Sequence, residues 1–580
     1  MMKRHKIAIC LIYVFMSMLV LFAPPGYALD SETKDTEKII ITADEIEKMN
    51  VTDIVDLLNR VPGIKAGESS VGIHGSYDVK VFLDGRPLND PLASHSKIKW
   101  NMVSLPRVER IEIHKGMGAV SFGDGTSGGA VCILSKEIHD TQGKIKTEWG
   151  NLDTQQHSLN AGYRTGSLGF GVAADYYHTG GYRTNQDKDS RHVGVKTAYL
   201  PQSGASCNLS FDYADEDRGN AGYPAYPKPH AREKSGALTS SLAIKAGGFS
   251  SSAYFGSYEQ TSADPDKSLD SRADGWSVGE DMSYRFTEGY LKNLVAGLSF
   301  RTDHIKGSSF DPYHEESYGL SFSKGMALSG IPLSCTLGLR ANLYSAFETA
   351  VNPEMKLSYD LKGARLQFSA ARTNNVPPVL KRFYERSSTR ANPSLGMEKA
   401  TNFSFSVVIP YADVWETGVT FFYNEIADKI TYVRDAEGSQ GMYRNFGKVT
   451  RKGADLSVGW SPRTWFNLKL SYEYLMARDE NTGLILACSP EHRAQLGIQY
   501  KPIDAFTAAI VGEYTAKQYT RADNTEYADP YNTIDVKADY VFGKWRIFGR
   551  IKNLTDEAYL YGDGLPAPPR TWLIGMSVDF

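Results

Sequence analysis

Six carboxylates crowd the stretch between residues 187 and 217: Asp187, Asp189, Asp212, Asp215, Glu216 and Asp217. Hard oxygen ligands at such spacing suit Ca²⁺, and Asp187, Asp189, Asp215 and Asp217 are its candidate ligands. The plainer reading, a solvated acidic loop, is preferred. The following stretch, Gly222-Tyr-Pro-Ala-Tyr-Pro-Lys-Pro-His230, is stiffened by its prolines. It offers Tyr223, Tyr226 and His230 as flat or polar contacts for a ligand. The glycine-dense run from Gly116 to Gly129 suggests a phosphate cradle. It lacks the Lys-Ser/Thr pair that must touch phosphate and metal, and turn formation explains its glycines. There is no GxSxG, HExxH or P-loop, so no catalytic constellation, no enzyme and no required cofactor are expected. Cys132, Cys207, Cys335 and Cys488 are far apart and form neither a zinc cluster nor a disulfide framework.

The elements that position these residues are mostly strands. A chain of 580 residues with 34 Tyr and 53 Gly is rich in strand and turn formers. Its formal charge of −3 gives no sign of nucleic-acid binding. Lys3, Arg4 and Lys6 precede an apolar run from Ile7 to Phe22 that ends at Pro24-Pro-Gly26. That is a signal peptide cleaved after Ala28, and its removal takes the formal charge from −3 to −6. No later segment reads as a transmembrane helix.

The chain divides near residue 137. Before it, Thr52–Arg60 reads as a short amphipathic helix with Thr52 as N-cap and Pro62-Gly63 as terminator. Strands are expected at Val79–Leu83, Arg110–His114 and Ala130–Leu134, with a tight turn at Asp84-Gly85. After it, apolar and polar residues alternate in segments such as 205–213, 466–474 and 533–540. The last is 571–580, where Trp572, Ile574, Met576, Val578 and Phe580 share one face. Segments of roughly 9 to 14 residues suit tilted strands crossing a bilayer. About 22 of them fit the remaining length, which matches a large barrel with a plugged lumen. A sheet in lipid must close on itself to satisfy its backbone.

Three segments then appear in a familiar order. Val79–Asn89 (VKVFLDGRPLN), Arg110–Gly116 (RIEIHKG) and Phe122–Val131 (FGDGTSGGAV), with Ser135-Lys136 after them, resemble the plug motifs of the TonB-dependent outer-membrane receptors. Asn392–Glu398, Asn445–Trp460 and Asn553–Tyr559 resemble motifs of that family's barrel, with Asp455 where glutamate is usual. Ile73-His-Gly75 lacks the arginine of the usual xxRG, so a local salt link common in the family is expected to be absent. The resemblance implies an all-β transmembrane barrel of about 22 antiparallel strands with an N-terminal α+β plug in the lumen. The implied division is 1–28 signal peptide, 29–43 periplasmic segment, 44–137 plug and 138–580 barrel.

Within the periplasmic segment, Glu37-Lys38-Ile39-Ile40-Ile41-Thr42-Ala43 resembles the TonB box. A β-branched segment of this kind can add as a strand to a partner's exposed edge. The alternative is the first strand of the plug. By resemblance the partners are TonB with ExbB and ExbD, outer-membrane lipid and a scarce small nutrient, with the receptor acting as a monomer in the outer membrane of a Gram-negative bacterium. Tyr77, Asn89, His95 and Trp100 are the ligand candidates at the plug apex. Compact size and acidic early loops favour cobalamin, since the family's cobalamin receptors use such clusters to hold calcium. Ferric siderophore comes next, then haem, metal chelate or oligosaccharide. Other classes are a passive porin, an adhesin-like barrel or an outer-membrane barrel enzyme.

Overall fold

The computed structural model describes residues 38–580 apart from 50, 94–96, 203, 268, 329, 386–388, 412–413 and 434–439. The signal peptide, Glu37 and His95 lie outside the described residues.

The N-terminal domain is built on a five-stranded mixed sheet. Its strand order is Lys38–Thr42, Val108–Lys115, Gly129–Ser135, Val79–Leu83 and Arg86–Pro87. Ile111 and Ile113 point into the core while Arg110 and Glu112 point out, as the period of two requires. Asp84 and Gly85 both take positive φ (50° and 86°) to make the tight turn between the last two strands. The helix expected over Thr52–Arg60 is shorter, Ile54–Leu58, and its N-cap is Asp53 rather than Thr52. The Asp53 carboxylate accepts from Asp56 N at 2.9 Å, while the Thr52 hydroxyl donates to Asp53 and Asp56. A carboxylate is the stronger acceptor for the free N–H groups of a first turn. Leu57 and Leu58 pack on Ile64 and Ile73 in one hydrophobic cluster with the sheet. Each such burial is worth roughly 1.5–3 kcal/mol.

From Gln142 onward, 22 antiparallel strands form a closed barrel. The ring closes where Thr571–Asp579 pairs with Gln142–Gly150, Ile574 opposite Trp149 and Val578 opposite Ile145. No helix among the described residues is long and apolar enough to cross a membrane. The strands cross instead: Val193, Val195, Phe211, Leu337, Leu339 and Ile574 face outward and are exposed. A stacked Trp415–Trp460 pair and Trp465 edge-on to Tyr500 lie at strand ends, as an interfacial aromatic girdle does. The inner wall is polar, with Asn352, Gln367, Asn402 and Asn424 buried against the plug.

One end of the barrel has turns of two to eight residues, whereas the other carries connections as long as 553–570 and 376–397. This asymmetry marks the outer face. Strands range from 8 residues (Trp545–Lys552) to 22 (Met442–Arg463), longer than the alternation alone suggested. The extra length continues beyond the apolar band, where charged side chains such as Arg232 and Lys234 replace aliphatic ones.

Candidate functional site: a vestibule over the plug and the contacts that seat it

The plug fills the lumen unevenly. On one side, beside the strands spanning 142–192 and 531–577, it leaves a cavity of about 1520 Å³. Its outer part is a vestibule with aromatic walls. Tyr77 and Trp100 rise from the plug, and Tyr177, Tyr223, Tyr559 and Tyr561 come from the barrel and its loops. The Trp100 indole N–H donates to Gly67 O at 3.1 Å, which fixes the ring. Tyr559 stacks on Tyr531 with centroids 4.0 Å apart and meets Tyr561 edge-on at 5.8 Å. Burial pushes the phenols of Tyr77, Tyr559 and Tyr561 above their ordinary range, so they stay neutral donors.

Several of the vestibule's charges are paired with each other, while Arg183 donates to Gly222 O. Arg218 meets Glu233 at 2.6 Å, Lys188 meets Glu216 at 2.8 Å and Arg493 meets Glu513 at 3.6 Å. Burial and the neighbouring Arg493 lower the Lys65 ammonium, which donates to Gln518 Oε1 at 3.2 Å.

Three of the sequence candidates meet here: Tyr77, Trp100 and Tyr223. Tyr226 stands outside on the tip of a small hairpin, 76% exposed. His230 lies on the rim, its Nδ1 3.0 Å from Asp266. Asn89 is turned into the plug, where its side-chain oxygen accepts from Val81 N and its amide donates to Val79 O. Tyr177, Tyr559 and Tyr561 were missed. The motif at Asn553–Tyr559 marked the loop but gave no sign that its rings share a wall with Tyr531.

Three of the four calcium candidates are engaged with cationic side chains. Arg232 bridges Asp187 and Asp217, each at 2.7 Å, and Lys234 adds 3.0 Å to Asp217. Asp189 lies 2.9 Å from His178. Asp215 stands opposite Arg191 in the strand register. A guanidinium thus sits between two of the carboxylates that a calcium ion would have to share. Among the described residues no group of three or more His, Cys, Asp or Glu could hold a metal ion.

The salt link expected to be missing at Ile73-His-Gly75 is present in another form. His74 Nε2 donates to Asp455 Oδ2 at 2.7 Å, and Lys115 reaches the same oxygen at 2.7 Å. The His74 ring stacks on Phe422 at 3.7 Å. The short pair closes because position 63 is glycine: a Cβ there would come within 2.7 Å of both Asp455 Oδ2 and the His74 ring.

The opposite side of the plug, led by the glycine-rich run, is seated directly on the wall. The amides of Asn402 and Asn424 both donate to Ser127 O, at 3.2 and 3.4 Å. Thr126 meets Thr373 at 3.3 Å, and Gly118 N donates to Glu354 at 3.2 Å. Lys429 bridges plug Asp78 at 3.5 Å and barrel Glu398 at 3.1 Å. Beside the cavity the plug is held largely by long cationic side chains that reach carboxylates, a side-chain amide and a plug carbonyl: Arg546 meets Glu47 at 2.9 Å, Lys65 donates to Gln518 at 3.2 Å and Arg493 to Ile64 O at 2.9 Å. Arg107 meets Asp212 at 3.0 Å, Ser104 donates to Asp175 at 3.0 Å, and Asp56 takes Lys537 at 3.5 Å and Lys552 at 3.7 Å. Burial alone would raise the Asp56 carboxyl, yet Lys552, Lys537 and Arg60 together hold it well below the carboxylate range.

The segment resembling a coupling box is the edge strand of the plug sheet. Lys38–Thr42 runs antiparallel to Arg110–His114, with Ile41 buried and Lys38 3.0 Å from Glu112. Ala43 begins a helix that runs to Met49. This is the placement that the first-strand alternative describes, and among the described residues the other edge of Lys38–Thr42 has no partner strand in its sheet.

Comparison with known proteins agrees with this architecture. Residues 31–130 match the TonB-dependent Receptor Plug Domain, and residues 137–554 match the TonB dependent receptor-like beta-barrel. Similar curated proteins include vitamin B12 transporters BtuB. The one from Photobacterium profundum is 21% identical, covering 90% of this chain and 89% of that one. The one from Vibrio vulnificus is 21% identical, covering 97% and 99%. Solved structures with this fold include a variant of the ferric enterobactin receptor PfeA from Pseudomonas aeruginosa and the siderophore receptor PirA from Acinetobacter baumannii. Each is 15% identical with a TM-score of 0.81, covering 96% of this chain and 100% of the other. The closed barrel, the seated plug and these matches place the chain in one family: it belongs to the TonB-dependent receptors of the outer membrane.

Proposed function

We propose that this receptor captures a corrinoid, cobalamin being the leading candidate, and imports it actively. The observation that carries the reading is the vestibule wall: broad tyrosine faces, with Arg218 and Lys188 paired to carboxylates and Lys65 and Arg183 engaged by an amide and a carbonyl. Such a wall suits a large, nearly neutral ligand rich in amides, because phenols and amides exchange hydrogen bonds while the rings cover apolar surface. A polyanionic ferric catecholate calls instead for a cluster of uncompensated cations. The names of the similar curated proteins support the same choice.

Import draws on TonB with ExbB and ExbD. The strand at Lys38–Thr42, with Ala43 after it, is the segment offered to TonB, either at its free edge or after leaving Arg110–His114. Ligand contact at Tyr77 and Trp100 favours that exchange by stabilising the plug conformation in which the strand is released.

The test is calorimetric titration of the detergent-purified chain with cyanocobalamin, with and without Ca²⁺. Binding tighter than about 1 μM, near −8 kcal/mol, supports the reading. A Ca²⁺-dependent gain would mean that Arg232 yields its carboxylates to the ion. No heat from folded protein that does bind ferric enterobactin would replace cobalamin with a siderophore. Uptake by cells should stop with a protonophore while surface binding persists.

A further inference from the structure

The cavity continues past the vestibule. Its lining descends from Arg183 and Tyr223 at the outer loops, past His192 and Lys146, to Asp44, Glu47 and Ser577 at the inner rim. At 1520 Å³ it exceeds the roughly 300–1,000 Å³ of an ordinary small-molecule pocket, and it is long rather than round. We propose that this flank is the route by which the captured solute passes the plug, while the opposite flank stays seated on the wall. The proposal rests on the importing role above and adds the path and its gate.

Three observations carry it. The void is one-sided: beside the strands spanning 299–473 the plug meets the wall through Ser127, Thr126, Gly118 and Asp78, with amides and hydroxyls matched atom to atom. Separating that face would strand buried carbonyls and carboxylates at once, each at substantial cost. Second, the wall of the cavity is set up for a polar, uncharged traveller. Ser577, Lys146, Ser158, Asp175 and His192 are register partners in a row across five strands. Lys146 is held by Glu148 at 2.6 Å and His192 by Asp175 at 3.0 Å, so the row offers hydrogen bonds with its charges matched. Third, what narrows the path is held by side chains that reach across it: the turn bearing Ser104 is tied to Asp175, the helix Ile54–Leu58 through Asp56 to Lys537 and Lys552, Glu47 to Arg546, and Ile64 O to Arg493. Shifting these elements widens the path without unfolding the sheet behind them.

The experiment uses the full chain in cells and has two arms. In the first, Ser158→Cys and Ser369→Cys are each compared with the parent for extra labelling by a membrane-impermeant maleimide added outside. Ser158 lines the cavity and is 7% exposed, whereas Ser369 is 1% exposed on the seated side. At least tenfold faster labelling at Ser158→Cys is expected, and equal slow rates would overturn the proposal. In the second arm, disulfide tethers are formed at Ser104→Cys/Asp175→Cys and at Thr126→Cys/Thr373→Cys. Surface binding and uptake of cyanocobalamin are then read separately. The first tether should stop uptake, reversibly with reductant and with binding intact. The second should leave at least half. Loss of uptake with both tethers means that the plug leaves as a whole, and survival with both means another path; either result sinks the proposal. Should a tethered chain fail to assemble, Ser158→Trp, which touches no plug contact, should slow uptake at least tenfold at unchanged affinity. A parent that binds no cyanocobalamin would refute the substrate while the labelling arm still judges the path.

Discussion

The two flanks of the plug solve the same problem, attaching a folded domain inside a polar tube, with different chemistry. The seated flank relies mainly on neutral contacts, many to backbone atoms, such as Asn402 and Asn424 on Ser127 O, with one ionic bridge at Lys429. The flank beside the cavity uses a few long side chains that span a gap, such as Lys537 and Lys552 on Asp56. Neutral hydrogen bonds to a carbonyl demand close, fixed geometry. Ion pairs tolerate a change of distance, because Coulomb attraction falls slowly. The first kind of attachment anchors, and the second lets the attached part shift and return.

Breaking the anchor should have the largest effect. Lys429→Met leaves Asp78 and Glu398 facing each other without their shared cation. Asn375 still donates to both carboxylates, so losing the cation costs about 2–3 kcal/mol rather than the full penalty of an isolated buried charge. Hydrogen exchange over residues 116–129 should accelerate by about thirtyfold or more, and unchanged protection there would remove the distinction between the flanks. Next comes the vestibule, on the side that moves. Tyr559→Ala removes the ring stacked on Tyr531 and should weaken cyanocobalamin binding by about tenfold, near 1.4 kcal/mol, in the same calorimetric assay.

Asp56→Asn, beside the cavity, should cost about 1 kcal/mol, raising exchange over Ile54–Leu58 and leaving residues 116–129 untouched. The sign with pH follows from the depressed Asp56 carboxyl. Its contribution is complete above the unfolded value of about 3.9 and is lost as pH falls through the lower folded value. Acid should therefore loosen this helix in the parent, and the variant should lack that acid dependence. The smallest effect is expected at the outer rim. Arg232→Ala frees Asp187 and leaves Asp217 to Lys234 alone, both carboxylates being about one-third exposed, and should change stability by under about 1 kcal/mol. If it also creates Ca²⁺ binding, the guanidinium stands where an ion otherwise would.

Much of the architecture was legible in the sequence because strand alternation in a barrel is enforced by two solvents. Lipid outside and polar lumen inside leave Trp572, Ile574 and Met576 no choice of face, and the structure exposes all three. The plug strands at Val79–Leu83 and Arg110–His114 were legible for a similar reason, since Ile111 and Ile113 can only point inward. The candidate site was less so. Tyr77, Trp100 and Tyr223 reach the cavity, but so do Tyr177 and Tyr561, whose convergence depends on strand register and loop return rather than on local pattern. Asn89 was a candidate at the plug apex, yet its carboxamide bonds to the backbone of Val79 and Val81 inside the plug. The substitution of His74 for arginine suggested a lost ion pair. The fold brings Asp455 to His74 and Lys115 across the small Gly63, so a hydrogen bond and a lysine pair stand in its place.

The edge strand Lys38–Thr42 has a mechanical consequence. Because Ala43 turns straight into a helix, no slack separates this strand from the body of the plug. Tension applied upstream of Lys38 is borne at once by the five paired residues against Arg110–His114. Peeling them yields about 17 Å of extended chain. Under load the plug therefore behaves as a bolt with a short stroke, and a force-spectroscopy trace from its N-terminus should begin with a single step of that length.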